Sequence, residues 1–380
     1  MKNSYFLADA IISPLGFTTA TNLEALKNST SGLKKQPASK FAPSGFYSGI
    51  IKENKLDAAF KEIGDPSAFT KLEKMMLLAV AEVLNNSEGL DISSTSLVVS
   101  TTKGNIDLLQ KDKKNKRIYL HELAEVIRRF FGFKENPVVI SNACISGGLA
   151  ESFASRLIKA GKFENVIVVA GDLVSDFVVS GFNSFQALSS EACKPFSTFR
   201  NGISLGEAAA AVLISSKKNK KGPSIQFLSD SVTNDANHIS GPSRTGEGLF
   251  LSIKKSLKEA GITSKEIDYI SAHGTGTLYN DEMEAIAFHR AGLEKVPVNS
   301  FKGVYGHTLG AAALLETIIT KHSLLQNTLF PSVNSEDEGV SKPLNLIKKY
   351  EISPLKYALK TASGFGGCNL SLILKKEEDE

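Results

Sequence analysis

The sequence predicts an α/β fold in which strands and helices alternate. Three features carry that expectation. Short apolar runs such as residues 166–170 (VIVVA) and 208–214 (AAAAVLI) read as strands buried on both faces. Between such runs, apolar residues recur at helical spacing, as at Leu149, Ala150, Phe153, Ala154, Leu157 and Ile158. Glycine and proline punctuate the boundaries. Alternation of this kind implies mainly parallel strands.

Taken in order, residues 97–100 (LVVS) form the first buried strand candidate. Residues 111–136 are charged and then helical, with Leu123, Val126, Ile127 and Phe130 on one face, and Pro137 is expected to stop that helix. Strand 138–140 follows, then the helix that ends at Gly161. After strands 166–170 and 208–214, the segment KKNKKGPS (217–224) reads as a linker. Helix 246–260, strand 267–271, a helix through Met283, Ile286 and Ala287, strand 296–299 and a long apolar helix over 309–325 resume the alternation. A hairpin, YALKTAS, GFGG, NLSLIL, closes the chain, and KKEEDE is expected to be a solvated tail. The linker divides the chain into 1–222 and 223–380, each with at least two strand–helix units.

The chain has 380 residues, 42% hydrophobic and 22% charged, which suits a large globular core and excludes disorder. With 44 basic and 40 acidic residues, the net charge of +4 is too small to argue for nucleic acid. Basic residues cluster at 111–117 and 217–221; solvated loops are the plain reading, and a landing surface for a small acidic protein is the alternative. Cys144, Cys193 and Cys368 form neither a disulfide framework nor a metal pattern, which favours a reducing compartment. The opening residues lack the length of a secretory h-region, and no apolar run could span a bilayer, so a cytoplasmic protein is expected.

Four motifs carry chemistry. In NACISGG (142–148), a cysteine lies between a strand and a helix, with two glycines allowing a tight turn and close backbone approach. There the helix terminus should favour the Cys144 thiolate, and the Cys144 N–H could form half of an oxyanion hole. A small buried hydrophobe is the competing reading. In AHGTGT (272–277), His273 lies at the C-terminal end of a strand, where α/β folds place ligands, with Thr275 and Thr277 beside it. In NSFKGVYGHTLGAAALLE (299–316), Lys302 and His307 flank two glycines, and Glu316 could pair with Lys302. Each histidine alone reads equally well as a satisfied loop residue, but three such loops after strands argue jointly for a site. In SGFGGCN (363–369), glycines let backbone N–H groups approach a ligand, Phe365 could gate a pocket, and Cys368 reads as packing. GISLG (202–206) matches the hydrolase elbow but lacks its strand-before, helix-after context, so Ser204 is not taken as a nucleophile. There is no P-loop, dinucleotide fingerprint or metal-ligand spacing, and no cofactor is expected.

Together the motifs resemble the beta-ketoacyl-acyl carrier protein synthase family, of the two-histidine elongating type, over nearly the whole chain. The resemblance implies the thiolase fold, with two similar halves in a layered α-β-α-β-α arrangement: 1–222 carries the nucleophile, and 223–380 carries both histidines and the lysine. It implies that Cys144 takes the acyl chain, that His273 and His307 bind the malonyl thioester and promote loss of carbon dioxide, and that Lys302 orders the site through Glu316. Asp281 and Glu284 match supporting acidic positions. Phe365 matches a gate whose N–H completes the oxyanion hole, and Thr275 and Thr277 match threonines that hold a pantetheine arm. The implied partners are an acyl carrier protein and a second subunit, identical or related. Departures fall at Ser197 and Asn201, where aspartates are common, at Gln186, where a carrier-docking arginine is common, at Gly206-Glu207-Ala208-Ala209, and in a short 103–137 segment. The short form resembles synthases of pigment pathways. Two alternatives stay open: a non-catalytic chain-length-factor-like partner, and a degradative thiolase using Cys368 as a second thiol.

Overall fold

A computed structural model describes residues 2–235, 237, 239 and 241–378. The chain builds one pattern twice. The first pass runs β1 (Tyr5–Ile12), α1 (Lys71–Asn85), β2 (Ser96–Ser100), α2 (Leu120–Phe131), β3 (Val138–Ile140), α3 (Ser146–Lys159), β4 (Asn165–Asp172), an extra helix α4 (Asp176–Ser184) and β5 (Ala208–Ser215). The second runs β6 (Ser224–Asn234), α5 (Glu247–Ala260), β7 (Tyr269–Ser271), α6 (Leu278–Arg290), β8 (Pro297–Asn299), α7 (Ala312–Gln326), β9 (Tyr357–Gly364) and β10 (Cys368–Glu377).

The strand order is β3-β2-β4-β5-β1 in the first set and β8-β7-β9-β10-β6 in the second, the same order twice. The sets join where β1 meets β6, through Tyr5↔Gln226 and Phe6↔Ile225. Each set mixes two parallel pairings with two antiparallel ones, which corrects the expectation of mainly parallel strands. Helical crossovers make β2, β3 and β4 parallel, whereas β9 returns through a glycine hairpin as β10, and a hairpin return is antiparallel.

Alternation along the strands sets the layers. In β4, Val166, Val168 and Ala170 join a central core with Ile145 and Ala154 of the α3 segment and Leu314 and Ile318 of α7. Ile167 and Val169 face the opposite way, against Leu72, Met76 and Val80 of α1. In the second set, Leu359 and Ile373 face outward to Leu249 and Ile253 of α5. The result is helix, sheet, helix, sheet, helix, with α3 and α7 as the middle layer.

Helix α2 stops at Gly132, whose left-handed backbone (φ 78°) lets its N–H reach the Arg128 carbonyl, rather than at Pro137. Lys375, Lys376 and Glu377 belong to β10 instead of a solvated tail, and Lys376 donates to Asn327 Oδ1 at 2.8 Å. Within the basic runs, Arg117 is committed to the buried Glu73, Lys217 to Glu164 and Lys218 to Glu377, so these three ion pairs reduce the free charge of the two segments. No helix among the described residues is long and apolar enough to cross a membrane.

Candidate active site

The repeated topology explains how distant residues meet. Cys144 lies between β3 and α3, and His307 lies between β8 and α7, the same place in each half. Since α3 and α7 are neighbours, the two loops arrive side by side. Gly147 makes that approach possible: a Cβ there would lie 2.8 Å from the Gly310 carbonyl oxygen. The glycines of NACISGG thus serve packing. The sharp turn falls instead on Ala143, which takes φ 43°, an uncommon left-handed conformation for a residue with a side chain. Ser146 secures the turn, accepting from the Asn142 N–H at 2.8 Å and donating to the Ala143 carbonyl at 2.6 Å.

Cys144 is 8% exposed at the floor of a cleft of about 510 Å³. Burial pushes its thiol up to about 12, with the Cys368 sulfur adding to the rise, while Lys302, Lys103 and the Phe365 N–H pull the other way. Burial thus works against the thiolate expected at a helix terminus and favours the neutral thiol.

The His273 loop is gripped by its backbone. Glu284 accepts from the N–H groups of His273 at 2.8 Å and Gly274 at 2.6 Å. Asp281 accepts from Thr275 at 2.9 Å and Gly276 at 3.1 Å. The two carboxyls stand three residues apart on α6, so one helix face holds the whole loop. Burial raises both carboxyls above their usual range, against the pull of these N–H donors. The hydroxyls of Thr275 and Thr277 are 2.9 Å apart, and both residues line the cleft.

Lys302 Nζ lies 2.8 Å from Glu316 Oε1, 2.5 Å from the His273 carbonyl oxygen and 3.2 Å from His273 Nδ1. An ammonium only donates, so Nδ1 accepts and the His273 hydrogen sits on Nε2. His307 is set the same way: the Leu309 N–H donates to its Nδ1 at 3.3 Å. Burial, reinforced by Lys302, holds both imidazoles well below their usual range, so both are neutral. Their rings meet edge to face at 5.1 Å, and one nitrogen of each lies within 4.8 Å of the other and of the Cys144 sulfur.

Phe365 sits on the β9–β10 hairpin, with its ring 5.5 Å from Phe182 and 5.3 Å from Phe185, and its N–H donates to the Cys144 sulfur. Cys368 is buried, with its sulfur 3.7 Å from the Phe365 carbonyl oxygen. Ser204 is fully buried, accepts from the Cys193 N–H at 2.9 Å and precedes a short strand, not a helix. Sequence reasoning missed Lys360 and Glu151, both fully buried beneath the histidines. Lys360 Nζ is 2.6 Å from Glu316 Oε2. The signal available was slight: Lys360 stands inside a strand, and Glu151 sits beside the apolar positions of a helix that also carries Arg156 and Lys159.

A thiol and two imidazoles this close can in principle hold a metal ion. Here the thiol is protonated and two buried ammonium groups stand behind the rings, a field that opposes a divalent cation and favours an anion.

Such a floor has the make-up of an acyl-transfer site, a thiol beside two hydrogen-bond donors, on a fold that repeats one pattern twice. The family model described as beta-ketoacyl synthase, N-terminal domain, matches residues 7–220, and the one described as beta-ketoacyl synthase, C-terminal domain, matches residues 227–336. A Schizosaccharomyces pombe protein provisionally named as a mitochondrial 3-oxoacyl-acyl-carrier-protein synthase is 29% identical over 99% of both chains. The 3-oxoacyl-acyl-carrier-protein synthase 2 of Vibrio harveyi is 26% identical over 96% of both. A solved chain from the complex of a ketosynthase with its chain length factor, from Xenorhabdus doucetiae, shares the fold with a TM-score of 0.84 at 23% identity, over 99% of this chain and 98% of that one. The chain belongs to the beta-ketoacyl synthase family and is, as such, an acyltransferase.

Proposed function

We propose that this enzyme carries out a decarboxylative Claisen condensation between an acyl chain held on Cys144 and a malonyl thioester on acyl carrier protein, in fatty acid or polyketide synthesis. The observation that carries the reading is the meeting of one thiol with two neutral imidazoles whose hydrogens lie on Nε2.

Acylation exchanges one thioester for another: Cys144 attacks the carrier thioester, and the departing carrier thiol recovers the proton that Cys144 loses. Malonyl carrier then enters along Thr275 and Thr277. Loss of carbon dioxide leaves an enolate, and two Nε2–H donors at its oxygen stabilise charge that develops only as the bond breaks. Lys302, fixed by Glu316, keeps His273 in the donating tautomer. The enolate carbon attacks the acyl-cysteine, and the N–H groups of Cys144 and Phe365 receive the oxyanion. Collapse expels the Cys144 sulfur, which takes up one proton. Phe365, Phe182 and Phe185 keep water from quenching the carbanion.

The relatives' names support the carrier as partner. A second subunit, identical or related, is supported by the Xenorhabdus complex and by β3, a half-buried apolar strand at the end of the sheet order. The three free cysteines fit a cytoplasmic setting.

Intact-mass measurement after offering a panel of acyl carrier thioesters tests the proposal. The chain should gain one acyl mass, Cys144→Ala should gain none, and condensation should be lost with it. Normal condensation by Cys144→Ala would sink the reading.

A further inference from the structure

Beneath the two histidines lies a buried cluster that the reaction as described does not use in full. Glu316 is shared: Oε1 accepts a hydrogen bond from Lys302 at 2.8 Å, and Oε2 is held by Lys360 as an ion pair at 2.6 Å whose angle falls short of a hydrogen bond. Lys360, on β9, also reaches the carbonyl oxygens of Thr361 at 2.6 Å, Ser271 at 3.3 Å and Ala272 at 3.4 Å. Ser271 and Ala272 are the two residues before His273. Glu151 on α3 completes the group; one of its oxygens accepts from Thr317 at 3.1 Å, and the other has no hydrogen-bond partner. Both Lys360 and Glu151 are fully buried; burial pushes the Glu151 carboxyl well above its usual range and so favours its neutral form, whereas an unneeded ammonium at Lys360 would be costly.

We infer that Lys360 is a second positioning cation for decarboxylation, acting through Glu316 and through the peptide that leads into His273. The inference rests on the decarboxylating reading of the site. A carboxylate with a cation at one oxygen can swing; with a cation at each oxygen, its orientation is fixed by the field between them. With Lys360 in place, Glu316 takes a single hydrogen from Lys302 and leaves the others for the carbonyl and Nδ1 of His273. Without it, the second Glu316 oxygen turns to Lys302 and draws that ammonium off Nδ1, and His273 is no longer confined to the Nε2–H tautomer. The same lysine holds the carbonyls ahead of His273 while Glu284 holds the N–H groups of His273 and Gly274, so the loop is clamped from both sides. Burial lowers the Lys360 ammonium below its usual range, with Lys302 adding to the fall, while Glu316 and, after it, Glu284 act against it.

The test uses the full chain with two variants. Lys360→Met keeps the volume and removes the charge. Lys360→Met combined with Glu151→Gln also removes the buried carboxyl that Lys360 faces. Acylation is read as mass gain on Cys144, decarboxylation as carbon dioxide released from malonyl carrier, and folding as the thermal midpoint. Lys360→Met is expected to acylate at close to the wild-type rate while carbon dioxide release falls on the order of 10²-fold, the size of a misplacement effect. The double variant should release carbon dioxide no faster than Lys360→Met. Wild-type release in Lys360→Met, or full recovery in the double variant, overturns the inference; the second result makes Lys360 only a counter-charge for Glu151. Parallel loss of acylation and release in both variants assigns a purely structural role and overturns it too. A wild-type chain that acylates but releases no carbon dioxide overturns the reading of the site instead.

Discussion

The Lys302 ammonium stands 3.2 Å from Nδ1 of His273, and this one contact decides which imidazole nitrogen carries the hydrogen. Removing it with Lys302→Met should leave acylation of Cys144 intact and lower carbon dioxide release from malonyl carrier by about 10²-fold, the usual cost of losing one oriented donor. Equal loss of both half-reactions would mean that the lysine supports the fold rather than the tautomer.

The thiol at about 12 sets the reactivity of the free enzyme. Alkylation of Cys144 by iodoacetamide should be slow at neutral pH and climb by about tenfold per pH unit through pH 9, because the thiolate fraction does so. A plateau near neutrality would restore a helix-stabilised thiolate.

Two neutral imidazoles make the fold sensitive to acid. Above the ordinary histidine value of 6.5, folded and unfolded chains both hold them neutral, and nothing is gained or lost. Below it, the unfolded chain binds protons that the folded chain refuses, so stability falls as pH drops. His307→Asn removes one such proton, and unfolding free energy between about pH 6 and 5 should fall less steeply, by about 1.4 kcal/mol per pH unit. Denaturant titrations at the two pH values check this; identical slopes would mean that His307 protonates in the folded state.

Gly147→Ala should lower stability by about 1–3 kcal/mol, the range for overpacking a close contact. The new Cβ would meet the Gly310 carbonyl at 2.8 Å and the Leu314 backbone at 3.0 Å, neither of them a flexible side-chain end. The urea midpoint measures it, and an unchanged midpoint would show that α3 and α7 can part cheaply.

Much of this was legible in the sequence because it is local. Apolar runs and helical spacing marked the strands and helices, and four loops after strands marked the reactive groups. Strand direction was legible only at the closing hairpin from Gly364 to Cys368; the antiparallel pairings of β5 with β4 and β1, and of β6 with β10, join strands distant enough in sequence that no local pattern records which way they run. Helix α2 was placed but ended wrongly, since Gly132 satisfies a carbonyl before Pro137 is reached. The glycines of the cysteine loop were visible, yet their partner, Gly310, lies far along the chain. Lys360 reads in sequence as an outward-facing residue of a strand; only the fold shows that both faces of β9 are covered.

The sequence by itself determined which groups are present and on which kind of turn each sits: a cysteine, two histidines and a lysine at strand ends, with small residues where helices must approach. Tertiary structure decided that these groups converge, and in which protonation states. Ionisation depends on how much water and which charges surround a group from every side. Cys144 and the two histidines are neutral because segments remote in sequence close over them, and no local pattern records that enclosure.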